Sequence, residues 1–170
     1  PNGILYERAT DRIKNDLLPP VTSTDRRRGL EVICRMLNKA GLTSAHDAMV
    51  DTDQLKTYQE GRKSGDLTIR TYMLMLKDYF EDMPNAGITT GFGDDILKIG
   101  GIKLVSDGAI GSRTAFLSKP YIGSPCDHGI RAMDPEETQH WVSRIHEAGF
   151  QVCTHSNGDA AIDMVLTAYE

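Results

Sequence analysis

Four short β-rich runs, each separated from the next by helical sequence, constrain the fold of this chain more than any other feature. The first run is Leu42-Thr43-Ser44-Ala45-His46-Asp47, and the second spans Leu67 to Leu74. The third follows Ile96–Ile99 and carries Lys103, and the fourth is Phe150-Gln151-Val152-Cys153-Thr154-His155. Repeated βα units imply a parallel sheet covered by helices, either doubly wound or a barrel. Four strands would make half of an eight-stranded barrel.

The helical stretches have recognisable ends. From Asp25 to about Ala40, Leu30, Ile33, Cys34 and Leu37 recur at helical spacing, with Thr24 as the expected N-cap and Gly41 as the stop. A second helix is predicted from about Asp53 to Lys63, with Leu55 and Tyr58 facing inward, and a weak one from Lys77 to Met83. Asp134-Pro135-Glu136-Glu137 combines a cap, a first-turn proline and acids at the positive end of the dipole. It opens a helix that runs to Ala148, and a last helix begins near Asp159. Residues 1–24, with Pro19-Pro20, read as an irregular lid or linker remnant, and 25–170 as the βα unit. The Gly-, Ser- and Pro-rich stretch from Asp107 to Met133 is long for a connection, and long ordered loops in α/β domains are usually functional.

Bulk properties exclude several classes. A net charge of −5 over 170 residues leaves no basic face for nucleic acid or for an anionic membrane surface. The single basic run, Arg26-Arg27-Arg28, falls at a predicted helix start and reads as solvated. Cys34, Cys126 and Cys153 show no C-x-x-C spacing, which argues against a disulfide framework or a thiolate zinc site. Cys34 and Cys153 read as reduced core residues. No apolar run approaches the ~20 residues of a membrane span, no signal peptide is evident, and a cytoplasmic location is expected. Pro1 at one end and an unfinished helix at Glu170 suggest a piece of something larger.

Ionisable residues collect where strands end: His46-Asp47 on the first, Lys103 and Asp107 on the third, His155 on the fourth. The carboxyl ends of parallel strands are where α/β folds bind ligands. Strict alternation puts Ile99, Gly101, Lys103 and Val105 on one face and Ile102 and Leu104 on the other. A desolvated Lys103 would have a lowered pKa, and its neutral amine could form a Schiff base or a carbamate. The alternative is a lysine paired with a carboxylate such as Asp107. His155 is a plausible metal ligand through neutral imidazole. His46, with Asp47 beside it to orient it, is a second histidine of that kind. The turn Asp107–Arg113 could cradle an anion, with Arg113 as a clamp, although its glycines also suit a tight turn.

Four motifs carry a family resemblance: Gly41–Asp47; Gly91-Phe92-Gly93-Asp94-Asp95; the long run Lys103–Ala115, KLVSDGAIGSRTA; and Gly149–Ala161, GFQVCTHSNGDAA. With these the chain resembles the amidohydrolase superfamily, in particular its YtcJ-like, amidohydrolase 3 group, which includes N-substituted formamide deformylases. The resemblance implies an α/β fold, a partial TIM (β/α)8 barrel of which this chain forms strands two to five, in a family that adds a small flanking β domain. Metal in that superfamily is held by H-x-H on strand one, a carbamylated lysine or a glutamate on strand four, histidines on strands five and six, and a strand-eight aspartate. Only the strand-four and strand-five positions fall in this chain, at Lys103 and His155. His46, Asp47, Asp107, Arg113 and Asp159 are then candidates for substrate contacts or for supporting the ligands.

The implied function is that of a metal-dependent hydrolase acting on non-peptide C–N bonds in small, amide-like substrates. Zn2+ is the expected metal, and a carbamate on Lys103 is possible. The isolated chain is expected to be inactive, with Lys103 a free amine, and to self-associate as a dimer that covers its open edges. A non-catalytic binding domain that keeps the fold is the alternative from another class, and a Schiff-base lyase using Lys103 is a third.

Overall fold

The computed structural model describes residues 3–5 and 9–170, apart from the side chains of Arg12 and Asn15. The four expected strands are present: β1 (Ser44–Val50), β2 (Arg70–Leu76), β3 (Leu97–Val105) and β4 (Gln151–His155). They form one parallel sheet in the order β1-β2-β3-β4. The helices are α1 (Ala9–Asp16), α2 (Ser23–Lys39), α3 (Thr52–Ser64), α4 (Asp82–Asn85), α5 (Pro135–Glu147) and α6 (Asp159–Tyr169), with a 3₁₀ turn at Lys77–Tyr79.

Local chemistry explains most of the boundaries. Thr22, not Thr24, caps α2: its hydroxyl accepts from the Asp25 amide, while the Asp25 carboxylate accepts from the Thr22 amide. This reciprocal box starts the helix earlier than the sequence suggested because it satisfies two orphan donors at once. Asp51 and Gln54 make the same box at α3, and Gly65, at φ 85°, ends that helix in the left-handed region. Asp134 caps α5, with Pro135 in the first turn. The stretch 1–24 is not wholly irregular, since Ala9–Asp16 is helical, with Asp11 in its first turn and Lys14 in its last. Residues 1, 2 and 6–8 of that stretch lie outside the described residues.

The helices pack on one face of the sheet. There Met73, Met75, Ile99, Ile102 and Leu104 meet Leu30 and Cys34 of α2, Val142 and Ile145 of α5 and Ala168 of α6. Strict alternation along β3 fails at one point. Met73 pairs with Ile99 but Leu74 pairs with Gly101, so Gly100 is an extra residue, a β-bulge. The bulge shifts the parity of the strand. Ile99 therefore joins Ile102 and Leu104 in the core, and does not share a face with Lys103. Glycine is required at the bulge because a Cβ on Gly100 would meet the ring of Tyr72.

The opposite face carries Tyr72 and Leu74 from β2, Lys103 and Val105 from β3, and Gln151, Cys153 and His155 from β4. In a closed barrel this face looks inward.

Candidate metal centre

Lys103 and His155 occupy adjacent strands on this open face. Lys103 pairs in register with Cys153, and Val105 pairs with His155. The two ligand candidates are thus one strand apart, ~4.8 Å, and offset two residues along it, ~6.6 Å. Both lie at the carboxyl end of the sheet, His155 as the last residue of β4.

Lys103 is half-buried, and desolvation holds its pKa below the usual 10.5. Among the described residues it has no carboxylate partner. The expected alternative, an ion pair with Asp107, does not form because Asp107 is otherwise engaged. The Asp107 carboxylate is fully buried and accepts from the amides of Phe116 (2.9 Å), Asn157 (2.9 Å) and Gly158 (2.7 Å). It fastens the loop after β3 to the turn after β4. A carboxylate whose oxygens accept from three backbone amides has its polar atoms satisfied despite burial.

His155 is oriented by the same assembly. Its Nε2 lies 2.9 Å from the Gly108 carbonyl oxygen, and Asn157 Nδ2 donates to that oxygen at 2.9 Å. Beneath it, the hydroxyl and amide of Ser106 both donate to the His155 carbonyl, at 2.6 Å and 3.0 Å. The loop that carries Gly108 is closed on itself, with Gly108 N donating to Thr114 O at 3.2 Å and Ala109 N to Thr114 Oγ1 at 2.9 Å.

The remaining candidates fall elsewhere. β1 continues to Val50, so His46 sits early in the strand; it is level with Tyr72 and Lys98, at the end of the sheet away from His155. By strand rise this is about 13 Å along the sheet from Lys103 and about 20 Å from His155. There His46 stacks on Tyr72, with ring centroids 4.8 Å apart. Asp47 points the other way, into the helix layer, where it accepts from the Tyr58 hydroxyl at 2.8 Å. The two neighbours cannot cooperate because successive strand residues face opposite sides. Arg113 braces its own loop, 3.6 Å from Asp127 and 5.0 Å above the Tyr121 ring, with φ 58°. Asp159 accepts from the amide of Ser118 at 2.9 Å and from its hydroxyl, which pins the loop to the start of α6. Arg113 is not free to clamp an anion without giving up its contacts to Asp127 and Tyr121.

Three further residues, two on the open face and one in the turn after β4, carry signals that sequence reading missed. Cys153 is half-exposed and is not a core residue; it faces Lys103, and burial raises its thiol pKa. Tyr72 lies over Gly100 and donates through its hydroxyl toward Gly100 O (2.8 Å) and Gln151 Oε1 (2.7 Å). Asn157 joins His155 at Gly108, and its place two residues after a strand-end histidine was the available clue. A groove of about 380 Å³ lined by Leu55, Arg62, Phe92 and Leu97 lies in the helix layer, remote from these groups.

Similarity to known proteins identifies the family. The amidohydrolase family's sequence profile matches residues 1–170. The chain belongs to the amidohydrolase family. It is 27% identical to YtcJ of Bacillus subtilis (strain 168), which carries an amidohydrolase name, over all of this chain and 32% of that protein. It is 25% identical to the N-substituted formamide deformylase of Arthrobacter pascens, over all of this chain and 33% of that protein. A solved structure of an uncharacterised metal-dependent hydrolase from Pyrococcus furiosus superposes with a TM-score of 0.80 at 26% identity, covering 95% of this chain and 34% of that one. The chain therefore spans about a third of the length of the relatives it matches.

The donor set fits a divalent metal in kind but not in number. Amine or carbamate and imidazole are suitable ligands, yet zinc takes about four. No group of three or more His, Cys, Asp or Glu side chains suited to a metal occurs among the described residues.

Proposed function

We propose that this chain contributes Lys103 and His155 to the metal centre of a hydrolase that cleaves C–N bonds in small amide-like molecules. One observation carries the reading: the two residues share the open face at the carboxyl ends of adjacent strands, in a family with metal-dependent hydrolase structures. The deformylase name of one relative favours an N-substituted formamide or a similar amide as substrate.

A divalent cation, Zn2+ by preference, supplies Lewis acidity and an activated water. The chain's own part is to hold and orient. His155 offers an imidazole nitrogen while its Nε2 is tied to Gly108. Desolvation keeps a larger share of Lys103 neutral than in water. A neutral amine adds carbon dioxide to give a carbamate and one released proton, replacing a cation with a two-oxygen anionic ligand. The side chains nearby on this face are Val105, Leu74 and Cys153.

The 170-residue chain alone supplies two ligands and is expected to show no amide hydrolysis with excess Zn2+. β1 and β4 are the edges of the sheet, and pairing of these edges between two copies would cover the open face.

The test is metal analysis and amide-hydrolysis assay of the whole protein that carries this sequence, alongside K103A and H155A. Each variant should lose most of its bound metal together with its activity. Full metal content and turnover in both variants would overturn the assignment.

A further inference from the structure

The ends of β3 and β4 are locked together around His155. A carbonyl oxygen only accepts, so the 2.9 Å contact from His155 Nε2 to Gly108 O places a proton on Nε2. Asn157 Nδ2 lies 3.2 Å from Nε2, but both are donors converging on the one oxygen. Turning the Asn157 amide over would set its oxygen against the Gly108 carbonyl, so the orientation with Nδ2 toward Gly108 is the consistent one. Neutral His155 therefore keeps its lone pair on Nδ1. No hydrogen bond to Nδ1 occurs among the described residues.

Gly108 is held in place by its neighbour. Asp107 Oδ1 accepts from Asn157 N, and Oδ2 accepts from Gly158 N and Phe116 N. These bonds join residue 107 directly to the turn that begins two residues after His155. Gly158 allows the approach, since a Cβ there would meet the backbone of Phe116.

We propose that Asp107 is a positioning residue that clamps the two strand ends so that Gly108 O fixes His155 as its Nε2–H tautomer, leaving Nδ1 as the metal-binding nitrogen. The proposal rests on the reading of His155 as a ligand. It adds that tautomer choice is built into the loop and precedes any metal. Asparagine at 107 has the same shape but one acceptor oxygen, so it cannot accept backbone N–H groups on both sides. With its oxygen toward Phe116 N and Gly158 N, its NH2 group would face the Asn157 amide, a donor against a donor, so the turn would shift at Asn157 and Gly108 O would no longer be held over Nε2.

The experiment is a long-range 1H–15N correlation on 15N-labelled, metal-free protein, which distinguishes the two tautomers directly. Wild type should show His155 as Nε2–H alone. D107N should show both tautomers and bind Zn2+ about 10–100-fold more weakly in the whole protein, the usual scale for loss of a ligand's support. N157A keeps the contacts of Asp107 to both backbone amides and should retain Nε2–H. An Nδ1–H wild type, a folded D107N with undiminished Nε2–H, or an N157A protein that scrambles the tautomer would each overturn the proposal. Where D107N does not fold, the wild-type and N157A spectra decide. The two readings fail separately: if Zn2+ leaves the Nδ1 resonance unmoved in an Nε2–H protein, the ligand assignment fails and the clamp stands.

Discussion

Lys103 and Cys153 face each other across the β3–β4 ladder. Burial pushes the lysine pKa below its usual 10.5 and the thiol pKa above its usual 9.0. Each charge would favour the other, but desolvation is the larger cause at both, so the pair is biased toward its neutral forms. An amine and a thiol that burial shifts in opposite directions make a different environment from the salt bridge that a strand lysine usually finds.

This pair makes stability depend on pH in two opposite senses. Unfolded Lys103 stays protonated up to about pH 10.5 while the folded residue releases its proton earlier, so between those values stability rises with pH. Cys153 acts the other way: unfolded thiol ionises near pH 9.0 and folded thiol later, so stability falls above that value. In a C153A background only the lysine effect remains. There K103M should be more stable than Lys103 at pH 7, by under ~1 kcal/mol because the group is half-exposed, and the gap should close toward pH 10.5. Urea unfolding at the two pH values measures it, and a gap that widens with pH would contradict the assignment.

Thiol reactivity should follow exposure and local charge. Cys126 is exposed, Cys153 half-exposed and Cys34 buried. Iodoacetamide at pH 8 should label them in that order, with Cys34 reacting only on unfolding. K103M should slow labelling of Cys153, because Lys103 is the one influence lowering its pKa. Peptide mass spectrometry reads all three rates, and faster labelling in K103M would exclude the pairing.

Gly158→Ala tests the close approach of the two loops. Its Cβ would meet the Phe116 carbonyl, a backbone atom that cannot rotate away. A destabilisation of about 1–3 kcal/mol is expected, the usual cost of overpacking. Gly111 has nothing within 4 Å of its Cβ position and serves as the control; Gly111→Ala should be near neutral. Equal effects at both sites would show that the loop is not fastened at 158.

The 170-residue chain should self-associate. Among the described residues β1 and β4 are the edges of the sheet, and Tyr72, Lys103, Cys153 and His155 are half-exposed on one face. Light scattering across a concentration series should show a dimer, and a monomer at the highest concentration would refute this.

Much of the fold was legible because its signals are local. The β-rich runs, the Asp134-Pro135 helix start and the Gly149 stop act within a few residues, so the strands and α5 fall close to where periodicity and capping put them. The Thr22–Asp25 box displaced the expected cap by two residues, because reciprocal bonding between two side chains and two amides outweighs a good single-residue cap. Lys103 and His155 were readable as a pair from strand position and motif, and both lie at the carboxyl end of the sheet.

What sequence alone determined is therefore the βα order and the family motifs, since these depend on residues near one another in the chain. What only tertiary structure decided is which way side chains face and what holds them. The bulge at Gly100 changes the parity of β3 and moves Ile99 to the core, and a bulge is a property of the pairing with β2, not of β3 itself. Asp47 turns to Tyr58, and Cys153 turns to Lys103. Asp107 reaches Asn157 and Gly158, some fifty residues on. Contacts across that separation depend on register and loop closure, which local sequence does not encode. The same contacts turn His155 from a histidine at a strand end into one with a fixed tautomer.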